Sequence, residues 1–529
     1  MNSSGNSPPL GWLQDEAHAK LIRCGLRGIE KECLRVDSEG HLSARTHPTR
    51  LGSALTHPYL TTDYSEAQLE FVTPPYPTNW ETVQFLCDSH CFVSQNLEDE
   101  LLWAQSMPCI VNPNAGLPIA TYGQSNLGQM KTIYRRGLGY RYGRAMQAIS
   151  GVHYNYSLPV SFWEPFREQQ KSTESLQRFI SAQYMGLVRN YRRIAWLFVY
   201  LFGASPALCK SFCPNGHEIL EELNSSTWYG PFSTSLRMSD IGYRNKTQAG
   251  LQISANSLED YTAGLAAAVT TPSAGYEKIG VRVNGTYRQL NANILQIENE
   301  YYSSIRPKPA PGGDSPPIVR LRDVGVDYVE VRTLDINMLD PVGVNQNQLR
   351  FAEATLIYCL LAESPPIDAA EQAEIDERDL VVAREGRKPG LTLPESGKNV
   401  SMRDRGLALT ERLLEVAAIL DVDGEGYLAA VEAQRTALRD SSLTPSAQLV
   451  ANIRESGQGF LDFTLDLSKA HAEYFRSLSL SPDKLALFAR AAERSLARAQ
   501  ALERRPDQSF EDYLAGYFGS ILGAERAIL

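Results

Sequence analysis

Along the first two-thirds of the chain, apolar and polar residues alternate in short runs, whereas beyond about Gln346 they recur at the helical period. QNQLRFAEATLIYCLLA, RGLALTERLLEVAAIL, DKLALFARAAERSLARAQALE and FEDYLAGYFGSILGAE therefore predict a helical last third. Upstream, Thr78 to Leu102 reads as a helix with Thr78 as its cap and Glu81 three residues on. A long helix over 173–202 carries RNYRR and ends at Gly203, and a helical region spans 256–269. Strands are predicted over GLRGIEKECLRV, which runs into a Ser38-Glu39-Gly40 turn, over residues 141–159, and in YEKIGVRV, YRQLNANILQIENEYY and VDYVEVRTLDIN. Asn112–Lys131 and Arg306–Pro317 read as loops. Helices gathered after the strands argue for an α+β fold and against a doubly wound parallel sheet. The division expected is a mixed region over 1–345 with a helix-rich region over 346–529 packed on it as one continuous unit.

Charge narrows the partners. The 529 residues carry 61 acidic and 51 basic side chains, a formal net charge of -10. That balance disfavours nucleic acid and anionic membranes. No run reaches the roughly 18 apolar residues of a membrane span, and AWLFVYLFGASPALC reads as a buried helix followed by a turn. The start, MNSSGNSPPLGWLQDEAHAK, lacks a basic and then apolar signal pattern, so the expected location is the cytoplasm. All eight cysteines are then expected as free thiols. The spacings Cys87/Cys91 and Cys209/Cys213 bring too few further ligands for zinc.

The acids are where chemistry can sit. As a strand, Gly25–Val36 turns Ile29, Lys31, Cys33 and Arg35 one way and Glu30, Glu32, Leu34 and Val36 the other. Glu30 and Glu32 are either ordinary surface glutamates or two crowded carboxylates that need a cation between them. TTDYSEAQLEFVTPP adds Asp63, Glu66 and Glu70, the last two on one face if the segment is helical. SGVHYNYSLP puts His153 and Asn155 on one strand face, and DYVEVRTLDIN puts Glu330 beside Arg332. A sheet face of this kind suits hard divalent cations, and Arg135, Arg136, Arg237 and Arg332 suit phosphate or carboxylate. Together they are the parts of a phosphoryl-transfer site. Phosphate loops of the GxxxxGK[ST] and GxGxxG kinds and the GxSxG elbow are all missing, so any ATP must be held on a metal-rich sheet surface. DVDGEGYLAAVE, Asp421–Glu432, fits a calcium loop by spacing, but it stands alone, and an acidic turn between two helices is the common alternative.

GLRGIEKECLRV, LGSALTHPYLTTDYSEAQLEFVTP, QAISGVHYNYSLP, YLFGASPALC, TSLRMSDIGY, LQIENEYYSSIRPKP and YVEVRTLDIN together resemble the proteobacterial glutamate–cysteine ligase family, from about Cys24 to Pro341. EGRKPGLTL extends the resemblance more weakly. It implies a glutamine synthetase-like fold, with an antiparallel sheet lining the active site and helices outside. It implies ATP-dependent joining of the γ-carboxyl of L-glutamate to the amine of L-cysteine through a γ-glutamyl phosphate, the first step of glutathione synthesis. The implied metal ligands, for Mg²⁺ with Mn²⁺ as substitute, are Glu30, Glu32, Asp63, Glu70, His153 and Glu330. Arg135, Arg332 and Glu30 would be catalytic, and Arg237 with Asn155 would hold glutamate. Tyr64, Tyr134, Leu138, Gln147 and Tyr243 would form the cysteine pocket. A monomer, subject to feedback inhibition by glutathione, completes the expectation. A ligase of the same fold with another amine acceptor, or a non-catalytic metal-dependent binding protein, are the alternatives.

Overall fold

The computed structural model describes residues 8–108, 117–242, 251–312, 315–422, 424–504 and 508–523. Its frame is a seven-stranded antiparallel sheet. The strands are β1 (Leu26–Val36), β2 (Leu60–Thr62), β3 (Gln68–Val72), β4 (Leu101–Leu102), β5 (Val152–Ser157), β6 (Ile305–Lys308) and β7 (Tyr328–Leu334). They lie in the order β6-β7-β5-β1-β3-β2, with β4 pairing the far end of β1. β1 is central, its Glu30 opposite His153 of β5 and its Glu32 opposite Glu70 of β3. β7 places Glu330 opposite Asn155 on one side and Arg306 on the other.

Two-residue alternation splits the sheet into unlike faces. Ile29, Cys33, Leu69, Phe71, Val152, Tyr154, Val329 and Val331 enter the main core. Against them pack the helices α1 (Asn79–Asn96), α3 (Leu176–Phe202) and α4 (Gln346–Leu361); α2 (Asn126–Tyr142) and α5 (Phe510–Leu522) lie apart from that face. The Thr78 side chain caps α1 by accepting from Glu81 N–H, as its spacing predicts. The buried run of α3 ends at Gly203, where a Cβ would overlap the Val199 carbonyl. Its arginines are held locally: Arg193 pairs with Glu371 at 2.6 Å, and Arg189 donates to the carbonyls of Ala255, Asn256 and Ser364.

The α+β expectation holds, and several boundaries move. The strand expected over 141–159 shrinks to β5, because α2 runs to Tyr142 and stops at Gly143, whose φ is +84°. α2 also converts the second half of the expected Asn112–Lys131 loop; Ser125 caps it, and residues 112–116 lie outside the described residues. YEKIGVRV and YRQLNANILQIENEYY form only a hairpin of two-residue strands, Arg282–Val283 with Thr286–Tyr287. Side chains replace the ladder there: Gln289 donates to the Tyr276 carbonyl, Asn291 to that of Gln296 and Asn293 to that of Val269, while Leu290 N–H donates to Gln296 Oε1. The expected Arg306–Pro317 loop begins as strand, since Arg306 and Lys308 belong to β6.

Glu66 and Glu70 do not share a helical face. Glu70 lies on β3, whereas Glu66 sits in the preceding turn and accepts from His47 N–H at 3.0 Å and Thr121 N–H at 2.8 Å. Cys209 is disulfide-bonded, contrary to the expectation of eight free thiols. Its spacing neighbour Cys213 is free, so the pairing comes from tertiary approach and not from the CxxxC interval. In the acidic turn, Asp421 accepts from Gly426 and Leu428 N–H, fastening the next helix, and Glu432 pairs with Arg435 at 3.1 Å. Residue 423 lies outside the described residues.

Candidate active site

The polar face of the sheet floors a cavity of about 820 Å³. Glu30 and Glu32 reach it from β1, Asp63 from the turn after β2, Glu70 from β3, His153 from β5 and Glu330 with Arg332 from β7. α2 leans over it with Lys131, Tyr134 and Arg135, and Arg306 and Lys308 arrive on alternate positions of β6. The opposite wall comes from the end of the chain, through Leu502, Gln508, Tyr513 and Tyr517.

Charges on this floor interlock. His153 Nδ1 lies 3.3 Å from Glu30 Oε2 and its Nε2 lies 3.8 Å from Glu32 Oε1. Asn155 Nδ2 donates to Glu30 Oε1 at 3.0 Å, and Gly151 N–H donates to Glu32 Oε2 at 2.8 Å. Glu330 is fully buried between Arg332, at 2.5 Å, and Lys308. Arg135 donates to the Asp63 and Thr62 carbonyls and stacks over Tyr122, 4.6 Å from the ring centroid.

These neighbours divide the acids. Burial and the nearby Asp63 push Glu32 up to about 8, against the pull of Arg237 and Arg332. Burial, Glu30 and Asp63 drive Glu70 well above the usual carboxylate range. For Glu330 burial acts upward too, but Lys308 and Arg332 overcome it and hold the carboxyl well below its ordinary value. Burial and Glu330 raise Glu30, yet its hydrogen bond with His153 and the charge of Lys308 leave it lowered. Burial and Arg332 bring His153 down to about 4, so the imidazole is neutral and able to ligate.

The donor set fits a hard divalent cation. One ligand atom each from Glu30, His153 and Glu330 lie within 4.8 Å of one another. The Glu32 and Glu70 carboxyls, pushed toward protonation by burial and by the neighbouring acid Asp63, are the kind of pair a cation relieves.

A smaller cavity of about 130 Å³ opens from the first, lined by Tyr64, Leu138, Tyr142, Gln147, Glu300 and Tyr302 among others. Seven residues border both: Glu32, Asp63, Tyr134, Arg135, Asn299, Arg306 and Arg332. The two chambers thus meet at a wall carrying three arginines.

Sequence reasoning located most of this. Glu30, Glu32, Asp63, Glu70, His153, Glu330, Arg135, Arg332 and Tyr134 line the large cavity, and Tyr64, Tyr134, Leu138 and Gln147 the small one. Asn155 borders neither cavity but shares the strand face of His153 and donates to Glu30. Arg237 borders neither cavity; it is 2% exposed and donates to Asp335 at 3.4 Å and to the Arg332 carbonyl at 3.0 Å. Tyr243 lies outside the described residues. Missed were Lys131, Arg306 and Lys308. Their signal was present in the i, i+4 spacing of Lys131 with Arg135 and the i, i+2 spacing of Arg306 with Lys308.

Interleaved acids and bases on an antiparallel sheet, with a side pocket opening from the charged chamber, define an enzyme of the carboxylate–amine ligase class with a glutamine synthetase-like fold. The chain belongs to the glutamate–cysteine ligase family, whose pattern matches residues 10–382. It is 46% identical over 516 residues to a glutamate–cysteine ligase of Pseudomonas paraeruginosa, covering 97% of this chain and 98% of that one. The corresponding protein of Alcanivorax borkumensis is 45% identical over 512 residues, with 95% and 97% covered. The crystal structure of the glutamate–cysteine ligase of Francisella tularensis in complex with AMP superposes with a TM-score of 0.89 at 35% identity, covering 94% of this chain and 98% of that one. A bifunctional glutathione synthetase of Pasteurella multocida shares the fold, with a TM-score of 0.73 at 23% identity over 92% of this chain and 58% of that one.

Proposed function

We propose that this enzyme joins the γ-carboxyl of L-glutamate to the amine of L-cysteine at the expense of ATP, forming γ-glutamylcysteine, ADP and phosphate in the first step of glutathione synthesis. The observation that carries the reading is the meeting of the two cavities at Glu32, Asp63, Arg135 and Arg332. A carboxylate is a poor electrophile until one of its oxygens is phosphorylated. The large chamber has room and charge for a triphosphate beside the glutamate carboxylate, and the AMP bound by the Francisella relative supports a nucleotide occupant. The γ-carboxylate oxygen attacks the terminal phosphorus, its bond to the bridging oxygen breaks, and ADP leaves with the electron pair. The amine then attacks the acyl carbon from the side pocket and phosphate departs, carrying the pair of the broken C–O bond and taking up the proton that the nitrogen loses.

Arg135 and Arg332 offset the repulsion between carboxylate and phosphoryl group at this wall. Glu30, Glu32, Asp63, Glu70, His153 and Glu330 would hold Mg²⁺, or Mn²⁺ in its place. Such ions supply charge neutralisation on the phosphate oxygens. Tyr64, Tyr134, Leu138 and Gln147 shape the acceptor pocket, with Tyr243 assigned there by resemblance alone. Arg237, with Asn155 nearby, is assigned to glutamate; this requires its guanidinium to trade Asp335 in part for substrate. Residues 1–345 carry the catalytic region and 346–529 pack on it as one unit, since the chain end walls the same cavity. No helix among the described residues is long and apolar enough to cross a membrane, and the enzyme is assigned as a cytoplasmic monomer inhibited by its pathway's end product, glutathione.

The test is ADP release with glutamate, Mg²⁺ATP and a panel of amines, with the product identified by mass. Cysteine and 2-aminobutyrate should be accepted. Turnover with another amine and failure with both would sink the assignment of acceptor.

A further inference from the structure

Three arginines border both cavities, and only Arg135 and Arg332 have a role so far. Arg306 is the third. It lies on β6 opposite Glu330 and Nη2 is held by the carbonyls of Asn299, at 3.0 Å, and Tyr301. Those contacts aim the guanidinium while leaving it no carboxylate partner within ion-pair range among the described residues, and its Nε is buried without a hydrogen-bond partner. Glu330 across the strand pair is already engaged by Arg332 and Lys308. A half-buried guanidinium with a buried, unpaired donor is costly unless something anionic fills the place. Its fork matches two oxygens of a carboxylate or phosphoryl group.

We propose that Arg306 is a catalytic residue that contacts the phosphoryl group as it passes from ATP to the substrate carboxylate and stays on the acyl-phosphate until the amine displaces it. The inference rests on the ligase reading above. The position decides the assignment: a residue serving only the nucleotide would border the large cavity alone, and one serving only the acceptor would border the small one. At the junction, Arg306 meets the oxygens common to both steps. In the first, the bond between the terminal phosphorus and the bridging oxygen of ATP breaks as the carboxylate–phosphorus bond forms. In the second, the carbon–oxygen bond breaks as the amide forms, the amine's proton leaves with the phosphate, and the guanidinium keeps its own proton throughout.

The experiment uses the full chain and the variants Arg306→Met and Arg306→Lys. It reads kcat and KM for each substrate with 2-aminobutyrate as acceptor, and glutamate-dependent scrambling of ¹⁸O between the bridging and non-bridging positions of ATP without acceptor. Arg306→Met should lose about 100-fold or more in kcat and in scrambling alike, as removal of an oxyanion-stabilising donor does. Its acceptor KM should stay within threefold, and Arg306→Lys should recover a part of the loss. A raised acceptor KM with normal scrambling would make Arg306 an acceptor-binding residue and overturn the proposal. So would normal kcat in Arg306→Met. If that variant fails to fold by circular dichroism, Arg306→Lys decides alone: scrambling within threefold of the parent enzyme overturns the proposal. A parent enzyme whose ADP release does not depend on glutamate would instead overturn the ligase reading.

Discussion

Replacing Glu330 by glutamine takes away a charge that two cations share. The carboxylate is fully buried, with Arg332 Nη1 at 2.5 Å from one oxygen and Lys308 Nζ against the other. Two unit charges about 4 Å apart attract by about 4 kcal/mol at the effective dielectric of a protein edge. Breaking a buried pair by removing one partner costs about 3–5 kcal/mol, because the survivor stays buried and uncompensated. Here the cations keep some water, their side chains being 21% and 26% exposed, so a loss of about 3 kcal/mol is expected. The assay is urea unfolding at neutral pH with chelator present, so that no bound ion contributes. Glu330→Gln is compared with Lys308→Met and with the double variant. The double variant should be less destabilised than the sum of the singles, with a coupling of 1 kcal/mol or more. Additive singles, or a Glu330→Gln loss below about 0.5 kcal/mol, would refute the shared-charge account.

A Cβ on Gly151 would overlap the Arg237 guanidinium, so Gly151→Ala should raise the KM for glutamate about tenfold or more in steady-state assays, with the ATP KM little changed. With Glu32 pushed up to about 8, the metal-free site holds its proton at pH 7, and Mn²⁺ binding should release at least about one proton per chain. Calorimetry in buffers of different ionisation enthalpy reads this, and a heat independent of buffer would contradict it. Burial brings His47 to about 3 and His57 to about 4, below the unfolded histidine value of about 6.5. Both are neutral in either state above that value, and only the unfolded chain gains their protons just below it. Stability should therefore fall as pH drops below about 6.5, each histidine adding a slope of up to 1.4 kcal/mol per pH unit. Replacing His47 with a neutral isostere should flatten that slope in denaturant titrations.

What could be read along the chain was what period alone decides. β1 alternates without interruption, so the opposition of Glu30 and Glu32 to Ile29, Lys31 and Cys33 was legible, and the structure keeps it. Arg306 and Lys308 had the same alternation, obscured by the prolines around them. Pro307 is tolerated because β6 is the sheet's edge, where a missing N–H costs little. YRQLNANILQIENEYY misled for the opposite reason: its apolar alternation suits a strand, but its Asn and Gln side chains satisfy the backbone first. Glu66 and Glu70 are four apart, and that spacing could not distinguish a helix from a turn and a strand. The contribution of Tyr513 and Tyr517 to the cavity left no local trace, because it depends on how the chain end docks.

The balance of charge around the large cavity gives the acids their division of labour. Five acids (Glu30, Glu32, Asp63, Glu70 and Glu330) face five bases (Lys131, Arg135, Arg306, Lys308 and Arg332), so the two kinds are matched in number although the chain as a whole carries -10, and with Glu32 and Glu70 protonated the bases are in excess. The pairing is uneven across the sheet. On the β5–β7 side, Glu330 and Glu30 are held ionised by Lys308, Arg332 and His153 before anything binds. On the β1–β3 side, Glu32 and Glu70 are raised by burial and by neighbouring acids, so without a cation they tend to keep protons. A triphosphate entering the chamber brings more negative charge than this excess of bases cancels. Exchanging the protons of Glu32 and Glu70 for divalent ions supplies that charge at the sheet positions nearest Asp63 and the wall of the second cavity. Ion binding and nucleotide binding are therefore coupled through the β1–β3 acids, and both should weaken together as pH falls below neutrality.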